Sequence, residues 1–71
     1  MKINTAVVGV GSLGQHHARI LAEHPNSNLV AVVDLDEKRR EKICKAYNTS
    51  GYSDPKDLIG KVQAAVISVP T

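Results

Sequence analysis

The stretch from Val7 to Leu21, VVGVGSLGQHHARIL, runs from an apolar β-branched segment through three glycines into a helical pattern. Ahead of the glycines, Asn4 to Val8 reads as a short strand. Behind them, Leu13, His17, Ile20, Leu21 and His24 recur at helical spacing, and Pro25 stops the pattern. A second apolar run, Asn28 to Val33 (NLVAVV), follows. Continuous rather than alternating apolarity suits strands buried on both faces of a parallel sheet.

The same alternation continues outward. Asp36 as a cap, Glu37 in the first turn and an apolar stripe of Ile43, Cys44 and Tyr47 predict a second helix, with Asn48 as its stop and a charged opposite face. Gly51 to Ser53 fits a short third strand. Asp54 followed by Pro55 reads as a cap and first helical position, opening a helix of one or two turns that Gly60 terminates. Gln63 to Val69 (QAAVISV) is the last strand. The order is βαβαβαβ. Right-handed crossovers then predict an α/β fold of three layers with a parallel sheet in the order 3-2-1-4. That is the first half of a doubly wound, Rossmann-like domain.

Composition narrows the function. The 71 residues make one small domain or part of one, with 42% hydrophobic and 23% charged residues, a globular balance. Nine Lys/Arg against seven Asp/Glu leave a net charge of +2, no electrostatic case for a nucleic acid or membrane partner. The single cysteine, Cys44, forms no internal disulfide and belongs to no zinc spacing, which fits a reducing, cytoplasmic setting. No run resembles a signal peptide or a membrane span.

The chemistry concentrates in Gly9, Gly11 and Gly14. A Gly-x-Gly-x-x-Gly directly after a strand and opening a helix assigns Gly9 to the tight turn, Gly11 to close approach of a pyrophosphate, and Gly14 to helix packing. The helix N-terminus then faces the phosphates with free N–H groups. Ser12 either donates its hydroxyl to a phosphate or helps to cap the helix, and Leu13 lies within the same loop. Asp34, twenty residues after Gly14, ends the second strand where an acid accepts hydrogen bonds from the adenosine ribose. NAD is therefore favoured over NADP, because a carboxylate repels a 2′-phosphate; Leu35 flanks this position and Arg39 is placed to swing over such a phosphate. An S-adenosylmethionine site shares the strand-end acid but has no pyrophosphate for the glycines. Adjacent His16 and His17 diverge by about 100° on a helix and cannot share a metal; His17 is expected at the helix–sheet contact and His16 in solvent. Cys44 is expected in the core. Lys38, Arg39, Arg40, Lys42 and Lys45, interleaved with Glu37 and Glu41, read as a solvated face with a Glu41–Lys45 pair.

The linked stretches VVGVGSLGQHHARIL, LVAVVDLDEKRREKICKAY, YSDPKDLIG and VQAAVISVPT resemble the Gfo/Idh/MocA oxidoreductases over nearly the whole chain. His17, Ala18 and Leu21 match the family's helix after the glycine loop, and Val69, Pro70 and Thr71 match the turn that lines the nicotinamide side of the cofactor. The resemblance implies hydride transfer between NAD(P) and a hydroxyl carbon of a sugar, cyclitol or sugar nucleotide in a two-domain protein. It places the family's catalytic lysine and its substrate domain beyond Thr71, so no catalytic residue is assigned and the 71 residues alone are expected not to turn over. A stand-alone NAD(H)-sensing module is the alternative. With no helix after it, the last strand should expose an apolar face and an edge, and self-association is expected.

Overall fold

The structure, a computed structural model, describes residues 2–68. It contains β1 (Ile3–Val8), α1 (Ser12–Glu23), β2 (Ser27–Val33), α2 (Glu37–Tyr47), β3 (Ser50–Tyr52), a single 3₁₀ turn η1 (Pro55–Leu58) and β4 (Ala64–Ile67). The four strands form one parallel sheet in the order β3-β2-β1-β4, as expected.

Two cores lie on opposite faces of this sheet. Val7, Val10, Leu29 and Val32 pack with Ala18 of α1 and Ile43 of α2, while Ala6, Ala31 and Val33 pack with Leu58 of η1. Three layers result, one of them a single turn. The chain steps from β1 to β2 to β3 in one direction and crosses back to β4 in the other, so right-handed connections place η1 opposite α1 and α2.

The caps of α2 are the expected ones. The Asp36 carboxylate accepts from the Arg39 N–H at 3.0 Å, and Asn48 closes the helix in the left-handed region at φ 52°. Asp54 caps η1 by accepting from the Lys56 N–H at 2.9 Å, and Gly60, at φ +81°, follows it. Several details differ from the sequence reading, among them strand starts shifted by one residue, to Ile3 for β1, Ser27 for β2 and Ala64 for β4. The buried residues of α1 are Gly14 and Ala18, with Leu21 partly buried, whereas Leu13 is 61% exposed and Ile20 is exposed. Small residues win the contact because they let the helix axis approach the sheet, and the larger neighbours are turned outward. The third strand begins one residue earlier, at Ser50. His17 is only half-buried, its ring 6.2 Å from that of His16. Among the described residues the one ion pair joins Arg39 to Asp34, not Glu41 to Lys45.

The β1–β2 register slips between Thr5 and Ala6: Thr5 pairs with Leu29 and Ala6 with Ala31, which leaves Val30 as a bulge. The slip lets both Leu29 and Val32 face the helices although they are three residues apart. Below it, the hydroxyls of Thr5 and Ser27 satisfy each other at 2.8 Å in the core.

Candidate dinucleotide site

The end of β1 delivers Gly9 into a tight turn at φ +90°, a region open to glycine and costly for other residues. Its N–H donates to the Val33 carbonyl at 2.7 Å, and a Cβ there would fall onto the Ser68 carbonyl oxygen beyond β4. A Cβ on Gly14 would fall onto the Gly9 carbonyl oxygen. These two glycines are demanded by the fold. Gly11 is not: an added Cβ would meet only the Arg39 guanidinium, at 3.8 Å. Among the described residues, nothing but that guanidinium comes within 4 Å of the space this missing side chain leaves open.

Gly11 is also the N-cap of α1, which lacks any side-chain cap and any acid in its first turn. Ser12 sits exposed at the first helical position and does not cap. The chain thus caps α2 and η1 with aspartates and leaves bare the one N-terminus that abuts the glycine turn. Bare N–H groups and the positive end of the helix dipole suit an anion.

Asp34, at the end of β2, lies beside this turn with a side chain 12% exposed. Its Oδ2 accepts from the Val10 N–H at 2.9 Å and its Oδ1 from the Asp36 N–H at 2.8 Å. Burial by itself would raise the carboxyl pKa. The N–H groups of Asp36 and Val10 and the guanidiniums of Arg39 and Arg40 outweigh it and hold Asp34 below its ordinary value. Arg39 Nη1 stands 3.9 Å from Asp34 Oδ2, and Arg40 Nη1 donates to the Asp34 carbonyl at 2.7 Å. Each carboxylate oxygen accepts one backbone N–H and keeps further lone-pair capacity.

A cleft of about 400 Å³ opens at the C-terminal edge of the sheet, lined by Val8, Gly9, Val33, Asp34, Leu35, Ser53, Pro55 and Ser68. This edge, where the strand order reverses, is the usual ligand position in doubly wound sheets. Gly9, Asp34 and Leu35 line this cleft; Arg39 reaches toward Asp34 and Gly11, Gly14 packs against Gly9, and Ser12 and Leu13 are exposed at the start of α1. Val69, Pro70 and Thr71 lie outside the described residues. Four residues not assigned to the site from the sequence contribute to it: Gln15, whose Nε2 donates to the Val10 carbonyl at 3.1 Å; Ser68, on which Gly9 rests; and Ser53 and Pro55, which wall the cleft. Among the described residues no cluster of His, Cys, Asp or Glu could hold a metal, and no helix is long and apolar enough to cross a membrane.

Residues 3–71 match the family model of the Gfo/Idh/MocA oxidoreductases, described as the oxidoreductase family with an NAD-binding Rossmann fold. The chain belongs to that family. It is 38% identical over 72 aligned residues to the inositol 2-dehydrogenase of Rubrobacter xylanophilus, an alignment that covers 97% of this chain and 21% of that protein. Among solved structures, UDP-N-acetylglucosamine 3-dehydrogenase GnnA of Acidithiobacillus ferrooxidans superposes at a TM-score of 0.89 with 30% identity, over 100% of this chain and 23% of that one. GenD2 of gentamicin A biosynthesis, solved in complex with NAD, superposes at 0.92 with 26% identity, over 99% of this chain and 21% of that one. The chain thus spans about a fifth of the length of these relatives and corresponds to the NAD-binding Rossmann part of the Gfo/Idh/MocA oxidoreductase fold.

Proposed function

We propose that the chain holds NAD along the C-terminal edge of its sheet, as the cofactor-binding segment of an oxidoreductase acting on a hydroxyl of a sugar, cyclitol or sugar nucleotide. The observation that carries this reading is Gly11: among the described residues nothing requires a glycine there, the space beside it is open, and it lies between an uncapped helix and Asp34. A pyrophosphate fits that opening, which argues against S-adenosylmethionine. In this reading Gly11, Ser12, Leu13 and Gly14 present the phosphate-facing end of α1, and Asp34 accepts the ribose hydroxyls. Leu35, 88% exposed, and Pro55 flank the adenine. Val69, Pro70 and Thr71 are assigned to the nicotinamide side on the family resemblance. When bound, the dinucleotide supplies a nicotinamide that gives or takes hydride; the described residues supply binding and orientation, and none is assigned to catalysis.

Arg39 supports a second cofactor. Its side chain is 46% exposed and is held to Asp34 only at 3.9 Å, so it is free to turn toward a 2′-phosphate, and NADP is read as a weaker alternative. The partner is a small molecule rather than nucleic acid or membrane, in keeping with the near-balanced charge, and the setting is the cytoplasm, in keeping with the unpaired Cys44. Calorimetric titration of NAD into the wild type and Asp34→Ala tests the reading. The wild type should bind and the variant should lose at least about tenfold in affinity; a folded wild type that takes up no NAD refutes it.

A further inference from the structure

Val10, the residue between the first two loop glycines, is held at three points. Its side chain is fully buried among Val7, Ala18, Val32 and Ile43. Its N–H is taken by Asp34 Oδ2 at 2.9 Å, and its carbonyl accepts from Gln15 Nε2 at 3.1 Å, a side chain reaching back from the second turn of α1. In a trans peptide the C=O and the following N–H point in opposite directions. Drawing the Val10 carbonyl along α1 toward Gln15 therefore turns the Gly11 N–H the other way, in the same sense as the bare N–H groups of the first helical turn. With no side chain at Gly11 and an extended backbone of φ −67°, ψ −166°, Gly11 itself adds no side-chain restraint to this peptide. Gln15 supplies the missing restraint.

We propose that Gln15 is a positioning residue of the dinucleotide loop: together with Asp34 it clamps Val10 from both of its peptide planes and so aims the Gly11 N–H at the pyrophosphate. The proposal rests on the NAD reading above. Gln15 touches no ligand in it and acts through the Val10–Gly11 peptide. Asp34 has a second duty beside the ribose, and its loss should weaken a probe that has no ribose at all.

The test uses the whole chain, with Gln15→Met, which keeps length and helix propensity but has no donor, and Gln15→Glu, which regains a donor only when protonated. The Gly11 amide resonance is read first without ligand. In Gln15→Met it should move from its wild-type position while thermal melting stays within a few degrees, and affinities for NAD and for inorganic pyrophosphate should fall together by about three- to tenfold, the loss of one directed hydrogen bond. In Gln15→Glu the Gly11 resonance should be displaced at neutral pH and return toward the wild-type position as the carboxyl protonates, an effect that repulsion between the new charge and the ligand does not produce in the free chain. Asp34→Ala should weaken pyrophosphate as well as NAD. An unmoved Gly11 resonance with wild-type NAD affinity in Gln15→Met overturns the clamp, as does Asp34→Ala with undiminished pyrophosphate binding. A folded wild type that ignores NAD sinks the functional reading instead, and the free-chain resonances still decide the clamp.

Discussion

At the scale of single residues, the three loop glycines separate by experiment. Gly9→Ala forces a side chain into a positive-φ turn and onto the Ser68 carbonyl, and Gly14→Ala drives one onto the Gly9 carbonyl. Both should lower stability by about 2 kcal/mol or more, seen as an earlier chemical-denaturation midpoint. Gly11→Ala meets, among the described residues, only the end of the Arg39 side chain and should leave that midpoint nearly unchanged while weakening NAD binding. Asp34 adds a pH dependence. Its pKa in the fold lies below the ordinary 3.8, so its stabilisation is complete above that value and is lost as pH falls through the lower, folded one. Acid denaturation below about pH 4 should be shallower for Asp34→Asn than for the wild type. The glycines and Asp34 were legible because spacing along the chain fixes their positions at the ends of β1 and β2. Gln15 and Ser68 were not: a glutamine in a helix and a serine after a strand acquire meaning only from what folding brings beside them, five residues away in one case and across the sheet in the other.

Among the secondary-structure elements, capping shows how stability is traded against the site. The N-terminus of α1 has no side-chain cap, whereas α2 and η1 have aspartates. Gly11→Asp should cap α1, since the backbone there is extended and the space open, raising stability by about 0.5–1 kcal/mol. The same carboxylate would occupy the anion position. Melting temperature should rise while NAD binding disappears; a variant that gains stability and still binds would show that the bare helix end is not where the phosphates sit. The bulge in β2 marks the limit of sequence reading for elements. NLVAVV is apolar at five successive positions, so either register buries apolar side chains, and nothing in the order of residues reveals that Val30 is the one left unpaired. On α1 the glycine motif placed Gly14 at the packing contact, whereas the apolar periodicity misplaced Leu13 and Ile20, because it weights large residues while close helix–sheet contact selects small ones such as Ala18.

Considered as a whole, the sheet is well covered at β1 and β2 and poorly at β4. Ala64, Ala65 and Ile67 are exposed, Ile67 at 70%, and β4 is an edge strand. Sedimentation at micromolar concentration should show self-association, and Ile67→Lys should reduce it by placing a charge on that edge; a monomeric wild type would remove the expectation. The strand order was readable from the sequence because chain order and handedness leave few alternatives. The thinness of the third layer was legible too, since Asp54-Pro55 and Gly60 bracket a helix of one or two turns, and the chain forms a single 3₁₀ turn there. The same sheet sets the timing of site assembly. Gly9 rests on Ser68, which is held by its own N–H to the Val8 carbonyl at 2.8 Å. During synthesis β1, α1 and β2 are all available long before Ser68, so the nascent chain carries its glycine turn without the floor beneath it. Competence to hold a dinucleotide should arrive late and abruptly, with the pairing of β4, and added NAD would capture only chains in which that strand has already joined the sheet.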